Sequence, residues 1–242
     1  MDDDKIINET IKQVRKEMEF KIEKILSPNF SNRSANTDID TIIVHYTAAN
    51  RIAGTITWFQ MKESQVSAHY VIGRDGRIVQ MVEDDKKAWH AGASFFRGKK
   101  NVNNFSIGIE MVGTQDSGFT EEQYEACAFV CSKLVKKYNI ELDRIVGHED
   151  VSGDEAIKLG IRTEQNKKID PGKNWDWEKF HSYLSPYVDK PIDIEEPKMP
   201  EDDNVKELYS PDPVMESGKD PEPENQIIQL IFAILRMFGV KL

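Results

Sequence analysis

Apolar residues recur at Ile7, Ile11, Val14, Met18, Ile22 and Ile25, in steps of four and three, with Lys and Glu between them. That spacing predicts an amphipathic helix over residues 5–26, its apolar face turned to the body of the protein or to a partner. Asn29 to Asp38 is polar and reads as a connector. The β-branched run Thr41-Ile42-Ile43-Val44 then predicts a buried strand ending at His45-Tyr46-Thr47. Thr55 to Glu63 reads as helix. His69–Ile72 and Ile78–Val82, joined by Arg74-Asp75-Gly76-Arg77, form a strand, Asp-Gly turn, strand pattern, which predicts a hairpin.

Phe105 to Val112 is another predicted strand, and Thr120 to Tyr138 a helix with Thr120 as N-cap and Glu121 and Glu122 in its first turn. Arg144 to Gly147 is a short strand ending at His148, and Trp175 to Leu184 a last helix of the body. Strands alternate with helices around one hairpin, so the fold class is α/β: a central mixed β-sheet flanked by helices. The domains expected are 1–37, the N-terminal helix and connector; 38–185, the catalytic body; 186–224, an acidic Pro-rich linker; and 225–242, an apolar helix. In the last of these, Ile228, Ile231, Leu235, Phe238 and Leu242 form a stripe suited to self-association, docking on the body or contact with a membrane surface.

Charge sharpens this division. The 242 residues carry a net charge of −10, but residues 189–224 alone hold 13 acidic and 4 basic side chains, with 7 of the 10 prolines. Such a stretch cannot bury enough apolar surface to fold and is expected to be a self-repelling linker. The rest is close to neutral, so the acidity says nothing of the substrate. A nucleic-acid partner is excluded for want of a basic patch. The first residues, Met1-Asp2-Asp3-Asp4-Lys5, do not read as a secretory signal, and no apolar run reaches the length needed to span a bilayer. Cys127 and Cys131, four apart on a predicted helix, read as small core residues rather than a disulfide.

Three segments at predicted strand ends or loops bear metal-competent side chains: His45, His148 in Gly147-His148-Glu149-Asp150, and Asp170 in Lys168-Ile169-Asp170-Pro171-Gly172. Two neutral imidazoles and a carboxylate with one position open to water would suit a catalytic zinc ion. Separations of 103 and 22 residues make no local motif, and His69, His90 and His181 compete for the same role.

Six segments in order carry a resemblance. They are residues 41–47, Ser67-Ala68-His69-Tyr70 with the turn that follows, Ala88-Trp89-His90-Ala91-Gly92, Ser106-Ile107-Gly108-Ile109-Glu110, Gly147-His148-Glu149-Asp150 and Lys168-Ile169-Asp170-Pro171-Gly172. Together, over about residues 38–184, they resemble the zinc-dependent N-acetylmuramoyl-L-alanine amidases, which include phage lysozyme-type amidases, muropeptide amidases and peptidoglycan recognition proteins. The resemblance implies hydrolysis of the amide between N-acetylmuramic acid and the L-alanine of the stem peptide. It assigns His45, His148 and Asp170 as ligands of Zn2+, Glu110 as the acid–base group, and Lys168 as the cation beside the oxyanion, with Lys167 an adjacent candidate. Some family members carry a tyrosine where this chain has Ala68, which throws the proton transfer onto Glu110.

The same comparison places His69 in a structural or supporting role and Trp89-His90 either against the stem peptide or in a packed loop. His181 matches no motif. Between His148 and Asp170 lie 21 residues, about twice what is frequent in the family, and the extra segment (152–166) is expected to wall the cleft and alter substrate selection. With all five positions filled by competent residues, catalysis is favoured over mere wall binding. Two settings remain: a phage-type endolysin acting on the wall after release, which the linker and apolar terminus favour, and a muropeptide-recycling amidase that stays in the cytoplasm.

Overall fold

The computed structural model describes residues 20–114 and 116–188. In chain order its strands are β1 (Ile22–Lys24), β2 (Phe30–Asn32), β3 (Thr41–Tyr46), β4 (Tyr70–Ile72), β5 (Ile78–Gln80), β6 (Lys86–Ala88), β7 (Phe95–Phe96), β8 (Lys99–Lys100), β9 (Ser106–Met111) and β10 (Ile145–Gly147). The helices are α1 (Ile52–Gln60), α2 (Glu121–Tyr138), α3 (His148–Ser152), α4 (Asp154–Lys158) and α5 (Trp177–Val188), with short 3-10 turns between some of them. Six strands make one mixed sheet in the order β1-β5-β4-β9-β3-β10, in which only β4 and β5, the predicted hairpin, run antiparallel. The fold class is thus the one the alternation of patterns implies.

Side chains alternate between the faces of a strand, and this alternation sorts the chemistry from the packing. Ile42 and Val44 of β3, with Ile107, Ile109 and Met111 of β9, form the main core together with Cys127, Phe129, Cys131 and Leu134 of α2 and Phe180 and Leu184 of α5. Cys127 and Cys131 are buried and free, as expected of core residues. The opposite face of the same two strands carries Ile43, His45, Gly108 and Glu110. There Ile43 packs with Ala91, Val102, Phe105 and Val151. Helix α2 begins as the sequence implies: the Thr120 hydroxyl accepts from the Gln123 amide, and the Gln123 side chain answers the Thr120 amide.

Three expectations change. The helix expected over residues 5–26 falls mostly outside the described residues, but Ile22–Lys24 is strand, pairing in parallel with Ile78–Gln80. Pairing with a sheet edge satisfies backbone groups that a 4-3 apolar spacing cannot register, and it puts Ile22 and Ile25 against different core clusters. The connector is not plain coil: β2 pairs antiparallel with β6, and buried Asn29 donates to the carbonyls of Met61 and Val66. The last helix runs past the expected boundary at 185/186 to Val188, with Pro186 on its exposed side and Tyr187 buried. The rest of the expected acidic linker, the helix expected at 225–242 and its expected partners lie outside the described residues.

Candidate metal centre and catalytic cleft

Three adjacent parallel strands present their ends side by side. His45 is in register with Glu110 across β3 and β9, and Val44 with Gly147 across β3 and β10, so His148 follows at the same level. Ligands at the carboxyl ends of parallel strands are the usual arrangement in open α/β sheets. Asp170 arrives from a loop that the sheet does not supply. Its carbonyl accepts the Glu149 amide at 2.9 Å, and Gly147 gives the close approach: a Cβ there would stand 2.7 Å from Pro171 Cδ.

The atoms that converge are His45 Nδ1, His148 Nδ1 and Asp170 Oδ2. The two nitrogens are 3.0 Å apart, and the carboxylate oxygen lies 3.0 Å from the first and 3.1 Å from the second. Both imidazoles are buried, and the Asp170 side chain keeps 13% of its surface exposed. The hydrogen-bond network decides what these atoms offer. His148 Nε2 faces the Ala91 carbonyl at 3.2 Å and must donate to it, which leaves Nδ1 bare. Ser106 Oγ donates to the Val102 carbonyl and so accepts from His90 Nε2; His90 Nδ1 then accepts from His45 Nε2, leaving His45 Nδ1 bare as well. Burial and the neighbouring His148 push the His45 imidazole down to about 4, which keeps it neutral. Two lone pairs and a carboxylate aimed at one another repel without a cation. Tetrahedral zinc, about 2.0–2.1 Å from N and O ligands, holds neighbouring ligands roughly 3.3 Å apart, so this donor set fits. These three residues can hold a metal ion.

A cleft of about 520 Å³ opens over the site, and its lining includes Thr55, Trp58 and Phe59 of α1 and residues 167–170. Glu110 and Lys168 both line it. Burial, aided by the Asp170 charge and opposed by Lys168, pushes the Glu110 carboxyl up to about 8; its Oε2 is shielded from solvent and has no hydrogen-bond partner among the described residues. Lys167, the adjacent candidate, has its ammonium 2.6 Å from Asp154, which leaves Lys168 the better placed of the two for the cleft.

The other histidines separate. His69 is fully buried, accepting the Gly108 amide at Nδ1 and donating from Nε2 to the Lys86 carbonyl, so it ties strands together and does not line the cleft. His181 is exposed on α5 beside Trp177. His90 and Trp89 line the cleft. The segment 152–166 lines none of it, contrary to expectation: Ser152 and Arg162 reach behind the site to the carbonyls of Ala91 and Ala93. Sequence reasoning also missed Arg33, whose guanidinium donates to the carbonyls of Asp84, Asn103, Asn104 and Ser106 and so ties the connector to the loop behind the site. Nothing local marks it, because its partners, His69 included, are 36 to 73 residues away.

A three-atom metal cage beside an unpartnered carboxyl in a cleft is the equipment of a metal-assisted hydrolase. The comparisons with known proteins agree. A family profile described as N-acetylmuramoyl-L-alanine amidase matches residues 35–173. Over 190 residues the chain is 35% identical to the 1,6-anhydro-N-acetylmuramyl-L-alanine amidase AmpD of Haemophilus influenzae, covering 71% of this chain and 97% of that protein. It is 40% identical over 121 residues to the protein of the same name from Escherichia coli, covering 50% of this chain and 60% of that one. A crystal structure of an AmpD selenomethionine derivative superposes with a TM-score of 0.58 at 29% identity, over 67% of this chain and 94% of the other. The chain belongs to the N-acetylmuramoyl-L-alanine amidase family and is an amidase.

Proposed function

We propose that this amidase acts on soluble 1,6-anhydro-muropeptides, cutting the amide between the lactyl group of the muramic acid and L-alanine, with Zn2+ held by His45, His148 and Asp170. The observation that carries the reaction is the meeting of three bare ligand atoms with the unpartnered Glu110 oxygen in one cleft. When bound there, zinc supplies a Lewis acid able to bring the pKa of water to about 7. Glu110 takes the proton from the attacking water as the new C–O bond forms, then delivers it to the alanine nitrogen as the C–N bond breaks. Burial, which favours the protonated carboxyl, suits the second half of that transfer, and the positive charge of an ion bound nearby would favour the ionised form needed for the first. Lys168, which lines the cleft, would stabilise the negative charge that the carbonyl oxygen gains. With Ala68 buried in place of a tyrosine, Glu110 carries the proton alone.

The choice of soluble fragments over intact wall draws on the relatives, which are named as amidases of 1,6-anhydro-N-acetylmuramyl-L-alanine. The endolysin reading drew on the acidic linker and apolar terminus, outside the described residues, and it gives way to the recycling alternative. A cytoplasmic place of action goes with that reading. The described residues contain no helix long and apolar enough to cross a membrane.

Turnover of anhydro-muramoyl tripeptide should exceed release of peptide from purified sacculi by at least about tenfold, read as new L-alanine amino termini. Faster action on sacculi would restore the lysin reading. Glu110→Gln should lower kcat by about 10²–10⁴ with zinc content unchanged, whereas His148→Ala should lose both.

A further inference from the structure

The partners of the two ligand imidazoles are consecutive residues. His45 Nε2 meets His90 Nδ1 at 3.0 Å, and His148 Nε2 meets the Ala91 carbonyl at 3.2 Å. Each has backing of its own. His90 Nε2 faces Ser106 Oγ at 3.3 Å, and Ser106 Oγ is committed as a donor to the Val102 carbonyl at 2.7 Å, so His90 has one tautomer available, with Nδ1 as acceptor. The Ala91 carbonyl also receives Ser152 Oγ at 3.1 Å and Arg162 Nη2 at 3.0 Å. Arg162 spends its other donors on the Ala93 and Asn166 carbonyls. Two of its three hydrogen bonds thus join the extra segment to the loop after Trp89, and the third, to Asn166, stays within that segment. Room for the His90 ring is made by Gly108, where a Cβ would lie 2.5 Å from His90 Cγ.

We propose that the His90–Ala91 dipeptide is the positioning element for both ligand imidazoles, and that the segment 152–166 acts on the metal centre through it by way of Arg162. The dipeptide holds each imidazole with its proton on Nε2 and its lone pair on Nδ1, so the cage is assembled before the ion arrives. Metal-bound histidines commonly donate their second N–H to a carbonyl or carboxylate, and removing such partners weakens metal binding about 10–100-fold. Here one partner is a third imidazole, and an arginine from a segment outside the cleft holds the other in place. The extra residues between His148 and Asp170 therefore serve metal retention rather than choice of substrate.

This inference rests on the metal reading above, and the test separates the two. Metal-free protein is titrated with zinc against a competing chelator, and the imidazole nitrogens are observed by 15N NMR before zinc is added. In the unaltered protein His45 and His148 should both be Nε2–H tautomers. His90→Ala should weaken zinc binding at least about tenfold and mix the His45 tautomers; Arg162→Met should do the same to affinity while disturbing His148. His90→Asn places a carbonyl oxygen near the lost Nδ1 and should restore most of the affinity, which a residue that only fills space would not do. Gln165→Ala, on the same segment, should change neither readout. If Arg162→Met and a folded His90 variant bind zinc within about twofold of the unaltered protein with both tautomers intact, the inference is wrong. If the unaltered protein takes up no zinc, the metal reading fails first.

Discussion

The active face of β9 depends on a hydrogen atom where every other residue has a carbon. Gly108 lies directly opposite Ile43 in the register, on the face that carries Glu110, and the His90 ring occupies the space its side chain would need. A methyl group there must push the imidazole away from His45. Gly108→Ala should therefore cost about 1–3 kcal/mol in stability, as overpacking of a filled interior does, and should weaken metal binding along with it. Denaturant midpoints and zinc titration of the same sample check both. Gly147 supports the site in another way, by admitting the Asp170–Pro171 turn against the end of β10. Site chemistry at this scale is a matter of which side chains are absent as much as of which are present.

Among elements, α2 shows how local signals and tertiary packing divide the work. Its start is dictated by Thr120, whose side chain satisfies one of the free amides of the first turn, and by the acidic residues that follow. Its end is set by Asn139 in the left-handed conformation, with Lys136 and Lys137 in the last turn. The Thr120 hydroxyl also donates to the Arg74 carbonyl in the hairpin turn. Thr120→Ala should destabilise the protein by about 1–2 kcal/mol, toward the upper end because that second bond is lost too, and the loss should appear in thermal unfolding with activity per folded molecule unchanged. The short elements behave differently. β1, β2 and β10 have three residues each and too little pattern of their own to declare a conformation. β10 was nonetheless legible from its β-branched residues, whereas β1 and β2 exist because β5 and β6 offer edges to pair with.

For the molecule as a whole, the acid limit of stability should be set in part by Asp84. This buried carboxylate accepts from Tyr70 and Gln80 at one oxygen and from Lys137 and Tyr138 at the other, joining β4, β5 and α2. Burial opposes its ionisation, but the bonds from Lys137 and Tyr70 prevail and hold the carboxyl below its ordinary value. A group depressed on folding contributes stability that is fully present above its unfolded pKa of about 3.9 and is lost as pH falls through the lower folded value. Asp84→Asn should lower stability at neutral pH and flatten its decline below about pH 4, as pH-dependent denaturant titrations would show.

What the sequence determined alone was whatever a short window can express. The β-branched runs, the Asp-Gly turn, the capping pattern of α2 and the ordered motifs sufficed for the fold class, the family, and His45, His148, Asp170, Glu110 and Lys168 as the residues to watch. What the tertiary structure alone decided was every relation between distant segments: the register that sets His45 beside Glu110, the His90–Ala91 dipeptide behind the imidazoles of His45 and His148, Arg33 and Arg162 clamped on remote carbonyls, and the withdrawal of 152–166 from the cleft. The reason is physical. Periodicity and capping are energies between neighbours along the chain, whereas proton placement and metal geometry are energies between groups brought together only when the sheet closes.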